Sequence, residues 1–404
     1  MKTVAVIGAG ASGMMAALTA AEDRENRVLL FERQQRAGRK LMATGNGRCN
    51  LSNTELAPSN YHGADPSFAS FALEAFPPEK ALAFFGSLGL LTVREPSGRV
   101  YPLSDQANSV VDTLRFACLC AGVELLAACP VRSIRREGDR FRLNTEDQGF
   151  MADAVIIACG GLAGGKLGGV SDGYELLKSL GHSRTALLPA LVQLTTDPDY
   201  PRALKGVRAD AQMNIFSEGR PLAASRGELQ FTEKGLSGPV TFEISRAVSC
   251  LCGRPAEARI DFLPDYPEAE ILEKLRAKCA SFGVLPCEEL FTGMVHNRLG
   301  KMLLKYCGLL SQRILSELPE AELRAAAAAA KDFRLKVRGT EGFDSAQVTA
   351  GGIRTSEFDP HTLQSRLVPG LFACGEVLDI DGDCGGYNLQ WAWASGRLAG
   401  RLGR

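Results

Sequence analysis

A chain of 404 residues has room for two or three domains at the usual size of roughly 100–200 residues each. Its 46 lysines and arginines meet 46 aspartates and glutamates, so no excess charge points to nucleic acid or a membrane surface, and the expected ligand is a small molecule. The 12 cysteines lack the dense regular spacing of a disulfide-built secreted domain, and neither Cys118 with Cys120 nor Cys250 with Cys252 has C-x-x-C spacing. They read as reduced thiols in a cytoplasm.

The amino terminus, "MKTVAVIGAGASG", has the lysine and apolar run of a secretory signal, but the run stops at Ile7 and gives way to spaced glycines. No stretch reaches the roughly 18 uninterrupted apolar residues of a membrane span. Thr3 to Ile7 is expected to be a parallel strand buried on both faces. Gly8, Gly10 and Gly13 then fit G-x-G-x-x-G, "ASGMMAALTAAE" reads as a helix, and a second apolar run, Val28 to Phe31, ends in Glu32, 19 residues past Gly13. That is a complete βαβ dinucleotide fingerprint: Gly8 for the tight turn, Gly10 for backbone approach to a pyrophosphate, Gly13 for helix–strand packing, and Glu32 for ribose hydroxyls. The helix start offers N–H groups and positive dipole to phosphate. By itself the fingerprint does not separate NAD from FAD.

After Glu32 the chain enters a polar, glycine-rich loop, "GRKLMATGNGRCNLSN" (38–53), where most NAD domains continue into another helix and strand. Residues 123–134 and 139–147 alternate like antiparallel strands, and "ADAVIIACGG" (152–161) returns as a buried strand. This order favours a flavin-binding fold. "GGLAGGKLGG" (160–169) lacks G-x-G and a following acid-ended strand, so a close-packed turn is expected there, not a second dinucleotide site.

From about Leu194 the character changes. Residues 207–216 and 257–265 read as half-buried strands, 237–249 as a helix between them, and 268–331 as amphipathic helices ending in a six-alanine run. An inserted substrate domain of barrel plus helices is expected. "LFACGEVLDIDGDCGGYNLQWAWASGRLAG" (371–400) then offers a short strand, a glycine turn and a helix. A helix start after Gly385 and Gly386 can present N–H groups to the pyrimidine edge of a flavin.

Together "GAGASG", "AGRKLMATGNGRCNLSN", "GELQFTEKGLSGP", "AQVTAGGI" and "GEVLDIDGDCGGYNLQWAWASG" resemble the bacterial FAD-dependent flavoprotein family of BaiN-like (bile-acid dehydroxylation flavin reductase) and aminoacetone oxidase type, over almost the full length. The resemblance implies an α/β fold: a split, glutathione-reductase-like Rossmann domain holding FAD non-covalently, with a β-barrel domain and a small helical domain inserted. The expected boundaries are 1–193 and 346–404 for the FAD-binding domain, 194–265 and the return strand 332–345 for the barrel, and 266–331 for the helices. It also implies FAD contacts at Gly8, Gly10, Ala11, Ser12 and Gly13 for the pyrophosphate, and at Glu32, Arg33 and the Val131 backbone for the adenosine side. Arg39, Lys40, Thr44, Gly45, Asn46, Arg48 and Cys49 would border pyrophosphate and flavin. Gly375, Glu376 and Asp379 would meet ribityl and phosphates, and Gly386, Asn388 and Leu389 the ring. The chain departs from the family pattern after the double glycine, where the run from Leu162 to Gly169 replaces an expected serine and proline.

Arg48 is a candidate for stabilising negative charge on substrate or reduced flavin, and Tyr387 for donating a proton, each weighed against a solvated charge and a packed ring. Cys49 has no second cysteine within reach in sequence, so a neighbouring structural thiol is expected. Asp379, Asp381 and Asp383 alternate without the terminal glutamate of a calcium loop, so no metal is expected. Trp391 and Trp393 read as core. His62, His182, His296 and His361 have no acid paired with them in sequence and read as structural.

The expected activity is an FAD-dependent oxidoreductase passing hydride through flavin N5 from NADH or NADPH, as transient co-substrate, to a small organic molecule such as an unsaturated ring ketone of bile-acid type. An oxygen-using oxidase of a small amine of the aminoacetone kind is the alternative, and a flavoprotein whose middle domain binds RNA or a protein is a third. The oligomeric state is not legible.

Overall fold

The computed structural model describes residues 1–309 and 312–404. It divides into two compact units, one made of Met1–Pro189 with Ala346–Arg404 and the other of Ala190–Ser345.

The first unit is built on a five-stranded sheet in the order Leu371–Ala373, Ala154–Ile157, Lys2–Ile7, Asn26–Phe31, Glu124–Leu126, every neighbour parallel. Val4 sits between Val28 and Ala154 at the centre, which is why these strands read as unbroken apolar runs: both faces are covered. Helix Ala11–Ala20 follows the first strand at once, and a Cβ on Gly13 would collide with the Gly8 carbonyl. The last helix, Tyr387–Gly400, lies on that first helix through two more glycines, since a Cβ on Gly396 would strike the Ser12 carbonyl and one on Gly400 the Ala16 carbonyl. The carboxy-terminal segment thus supplies an edge strand and a packed helix to a domain begun at residue 2.

The alternation over 123–134 does not form one antiparallel strand. Glu124–Leu126 joins the parallel sheet, and only Ser133–Glu137 pairs antiparallel, with Arg140–Asn144, which in turn pairs with Gly149–Ala152. The break is at Ala128, left-handed at φ 51°, where the Ala128 and Cys129 N–H groups donate to the carbonyls of Gln34 and Glu32. A turn bonded to another segment overrides local periodicity.

The second unit contains a closed six-stranded barrel in the order Leu194–Thr196, Gly235–Ser237, Arg220–Phe231, Arg208–Ser217, Ala256–Asp261, Phe333–Thr340. The twelve-residue strand Arg220–Phe231 escapes the sequence because only Leu229 and Phe231 on it are buried; its ladder with Arg208–Ser217 holds it instead. Helices Glu268–Ser281, Asn297–Tyr306 and Glu320–Lys331 were expected as a separate subdomain, yet they share one hydrophobic core with the barrel. The Phe333 ring of the barrel packs tilted against Tyr306 of a helix (4.7 Å) and Phe262, and edge-on to Tyr200. The alanine run serves the same core: Ala326, Ala327 and Ala330 are fully buried, where larger side chains would not fit.

Because Phe333 joins barrel and helices, Phe333→Ala is expected to cost about 3–5 kcal/mol, seen as a lower denaturant midpoint of the second unit; a loss under about 1 kcal/mol would mean the two parts do not share a core.

Candidate functional site

At the amino end of the sheet's first turn, Gly8 has φ 104° and Gly10 has open space where a Cβ would be. Helix Ala11–Ala20 has no side-chain cap and no acid in its first turn, so no side chain of its own offsets the positive dipole at its start. Beside it, the Glu32 carboxylate accepts from Ala9 N–H (3.1 Å) with one oxygen and from Gln34 N–H (2.8 Å) with the other. Burial raises its pKa while these N–H groups pull it down. Each oxygen keeps a lone pair for a ribose hydroxyl. The Ala128–Cys129 turn, bonded to Gln34 and Glu32, brings the buried Val131 to the same end. Arg33 leans instead to Asp172 (3.7 Å), and Arg39 donates to Gln34 Oε1 (3.1 Å).

The other end is organised by Glu376. One of its carboxylate oxygens takes Lys40 Nζ (2.7 Å) and the other the Thr349 N–H (2.7 Å); Thr349 Oγ1 accepts from Ala163 N–H (2.9 Å). One carboxylate therefore joins the loop after Glu32, the turn at 160–163 and the "AQVTAGGI" segment. Gly375, left-handed at φ 76°, lies against Ser12. Its N–H donates to Ser395 Oγ (2.9 Å) and its carbonyl accepts from Trp391 Nε1 (3.2 Å). Trp391 and Trp393 are core residues with polar duties, Trp393 Nε1 donating to the Leu51 carbonyl (2.8 Å).

Helix Tyr387–Gly400 also starts without a side-chain cap or a first-turn acid, on a left-handed Gly386. A Cβ on Gly386 would run into Ser52 and Asn50, so the polar loop and this helix start are pressed together. Asn53 Nδ2 donates to the Gly385 carbonyl (2.9 Å), and Ser52 Oγ to Gln390 Oε1 (2.7 Å). With its amide turned, Asn50 accepts from Gly386 N–H. Asn388 closes the preceding turn, accepting from Gly382 N–H (2.9 Å) and donating to the Gly382 carbonyl (2.7 Å); Leu389 beside it is half-buried. Asp379 accepts from Ala64 N–H (3.2 Å).

Within the polar loop, Gly45, Asn46 and Cys49 are all left-handed, and Thr44 Oγ1 donates to the Leu41 carbonyl (2.7 Å). The Cys49 thiol is fully buried and its pKa is pushed up to about 12 by that burial; it behaves as a small apolar group, not a thiolate. Arg48 pairs with Asp105 and Glu95 (3.3 Å), and its guanidinium sits 4.0 Å over the Tyr101 ring. Two carboxylates thus already answer its charge. Tyr387 OH donates to the Glu55 carbonyl (3.3 Å), with its ring edge-on to Tyr61 at 6.3 Å.

The histidines depart from the sequence reading, since three of the four face an acid. His62 Nε2 meets Asp383 (2.7 Å), His361 meets Asp359 (3.8 Å), and His182 meets Glu357 (2.9 Å) on one side and Ser365 Oγ (3.0 Å) on the other. Residues more than a hundred positions apart made His62 and His182 look unpaired. The serine, histidine and glutamate line is not a hydrolytic triad: the His182 side chain is wholly inaccessible, and Ser365 Oγ already accepts the Leu367 and Val368 N–H groups. Burial lowers the His182 pKa.

A parallel sheet entered through a dinucleotide fingerprint and completed by a carboxy-terminal strand and helix defines a Rossmann-type flavoprotein oxidoreductase. The HI0933-like protein Rossmann domain family matches residues 2–402, and the chain belongs to it. It is 40% identical to the 3-dehydro-bile acid delta(4,6)-reductase of Clostridium scindens, over 99% of this chain and 98% of that one. It is 29% identical to the ribosomal RNA dihydrouridine synthase of Escherichia coli, over 96% and 95%, and 27% identical to the enzyme of that name from Haemophilus influenzae, over 96% and 95%. The crystal structure of 3-ketosteroid delta1-dehydrogenase from Sterolibacterium denitrificans in complex with 1,4-androstadiene-3,17-dione shares the fold, with TM-score 0.51 and 13% identity over 99% of each chain. FAD fits the residues present: two helix starts without a capping side chain or a first-turn acid, a ribose-ready carboxylate, and space at Gly10 and Gly47 where a Cβ meets nothing.

Two outcomes follow. Glu376→Ala, which frees Lys40 and Thr349, is expected to weaken FAD binding at least about tenfold, roughly the loss of one buried charged partner, read by flavin fluorescence titration. Alkylation at neutral pH should modify the exposed Cys120, Cys250 and Cys252 while Cys49 and Cys374 stay unmodified until the protein is unfolded, as peptide mass analysis will show.

Proposed function

We propose that this protein is an NAD(P)H-dependent reductase of a small molecule, saturating a carbon–carbon double bond conjugated to a ring carbonyl. The observation that carries this reading is the 40% identity over 99% of the chain to a bile-acid delta(4,6)-reductase. The more distant relatives support the same bond chemistry, because a dihydrouridine ring is a uracil whose double bond next to a carbonyl has been saturated. FAD, when bound, supplies hydride carriage between nicotinamide and substrate.

The protein's own part is holding and shaping. Gly8 to Gly13 would take the pyrophosphate, Glu32 the ribose, and Lys40, Gly375 and Glu376 the middle of the cofactor. The starts at Gly10 and Gly386 would offer positive dipole to a phosphate and a flavin edge. A nicotinamide that stacks transiently over the flavin needs no second dinucleotide fold. Twelve free thiols fit a reducing, cytoplasmic setting.

Ribosomal RNA is the second reading, favoured by the names of two relatives. Charge weighs against it. Between residues 190 and 345 there are 21 basic and 21 acidic side chains, and the barrel's cations are largely paired: Arg226 with Asp210 and Asp265, Arg208 with Glu228, Lys205 with Glu233, Arg338 with Asp197. A phosphate backbone would need unpaired cations.

Under anaerobic conditions NADH or NADPH should bleach the flavin absorbance and a conjugated ring ketone should restore it, whereas aminoacetone should do neither. Bleaching by the amine and not by either nicotinamide would sink the reductase reading, and dihydrouridine appearing in ribosomal RNA treated with the reduced protein would install the second one.

A further inference from the structure

Saturating such a double bond takes a proton as well as a hydride, and the carbon next to the carbonyl must receive it. The obvious acids near the start of the last helix are poor donors. Cys49 is buried with its thiol pushed up, Tyr61 is buried with its phenol pushed up as well, and Tyr387 OH is spent on the Glu55 carbonyl. Arg48 is committed to two carboxylates.

His62 is different. It lies in the two-residue strand Tyr61–His62, paired antiparallel with Asp381–Gly382 just ahead of the Gly385–Gly386 turn. Its Nε2 meets Asp383 Oδ1 at 2.7 Å, and the other Asp383 oxygen is fixed by Asn60 Nδ2 at 3.1 Å. The Asp383 N–H donates to the Asn60 carbonyl (2.9 Å), and Asn388 Nδ2 reaches the Asp383 carbonyl (3.3 Å). Tyr61 OH donates to the Tyr387 carbonyl (3.1 Å). The pair is thus bolted to the turn and helix start that would meet the flavin ring. Yet both side chains remain 33% exposed, in contrast to 0% for His182, so water and a substrate can reach the ring. An imidazole is the side chain that gains and loses protons near neutrality, and an acid held on one nitrogen orients the other.

Resting on the reductase reading above, we propose that His62, oriented by Asp383, donates the proton that completes reduction of the double bond. With Nε2–H held by the Asp383 carboxylate, the Nδ1 proton is the one released. The π bond is consumed as the carbon beta to the carbonyl gains the hydride that originates in NAD(P)H, which leaves as NAD(P)⁺. The alpha carbon gains the proton from Nδ1, and the neutral imidazole is reloaded from water. The ionisable group in contact with the ring is Asp383, and Asp381 is the ladder partner of His62 on the paired strand.

The test separates the half-reactions of the FAD-loaded protein. His62→Gln should bind FAD and be reduced by NADPH at the wild-type rate, while its reoxidation by cyclohexenone or a 3-keto-4-ene steroid slows roughly 100-fold or more, the usual range for losing a general acid. Asp383→Asn should fall between. In nitrogen-15 histidine spectra, one ring signal should report an Nε2–H bonded to a carboxylate and change on Asp383→Asn, a readout independent of turnover. Unchanged reoxidation in His62→Gln, with wild type active, would overturn the assignment of His62 alone. Equal slowing of both half-reactions would mark His62 as structural and overturn it too. If wild-type reduced enzyme is not reoxidised by any conjugated ring ketone, the reductase reading fails and this one with it.

Discussion

Backbone must approach backbone wherever this protein builds its cofactor end, and that constraint is met by leaving out side chains. Gly13 on Gly8 seats the first helix against the first strand; Gly396 on Ser12 seats the last helix against the first. Any Cβ at either point would hold the elements apart. With them in contact, two helices that both start free of capping acids pack against one another, and a helix start of this kind offers dipole to a phosphate-bearing cofactor.

Glu376 then does for the loops what the glycines do for the helices. Lys40, Thr349 and, through Thr349, Ala163 belong to three segments far apart in the chain, and all are gathered on this one carboxylate. The half-buried Lys40–Glu376 pair matters more for geometry than for stability, since partial exposure screens its charges. The glycine-rich run 160–169 gains its purpose from the same knot: a side chain on Gly161 would collide with Thr349 and Glu376.

The polar loop 38–53 shows which partners a motif alone leaves unseen. Arg48 reads from sequence as a cation for substrate or reduced flavin or as a solvated loop charge, and Asp105 and Glu95, folded in from residues some 50 positions later, pair with it. Cys49, expected as a neighbouring structural thiol, is fully buried. The loop's asparagines and serine instead fasten it to the last helix, at Gly385, Gly386 and Gln390. Two glycines, Asn46 and Cys49 take it through left-handed backbone at four of the five positions from Gly45 to Cys49, and so keep the backbone compact.

What the sequence determined by itself was local: strand Lys2–Ile7, the glycine turn, helix Ala11–Ala20 and Glu32, because each part of that fingerprint lies within 32 residues and each answers to periodicity or backbone conformation. The last helix and the alanine-rich helix were legible for the same reason. Tertiary structure alone decided the rest. Strand Arg220–Phe231 buries only Leu229 and Phe231 and is held by its ladder, which leaves little apolar alternation to read. Glu124–Leu126 took its place in the parallel sheet through a turn bonded to Gln34 and Glu32. The acids that partner Lys40, His62 and His182 lie 336, 321 and 175 residues away along the chain. Electrostatic pairing depends on distance in space, and only the packed fold sets that distance.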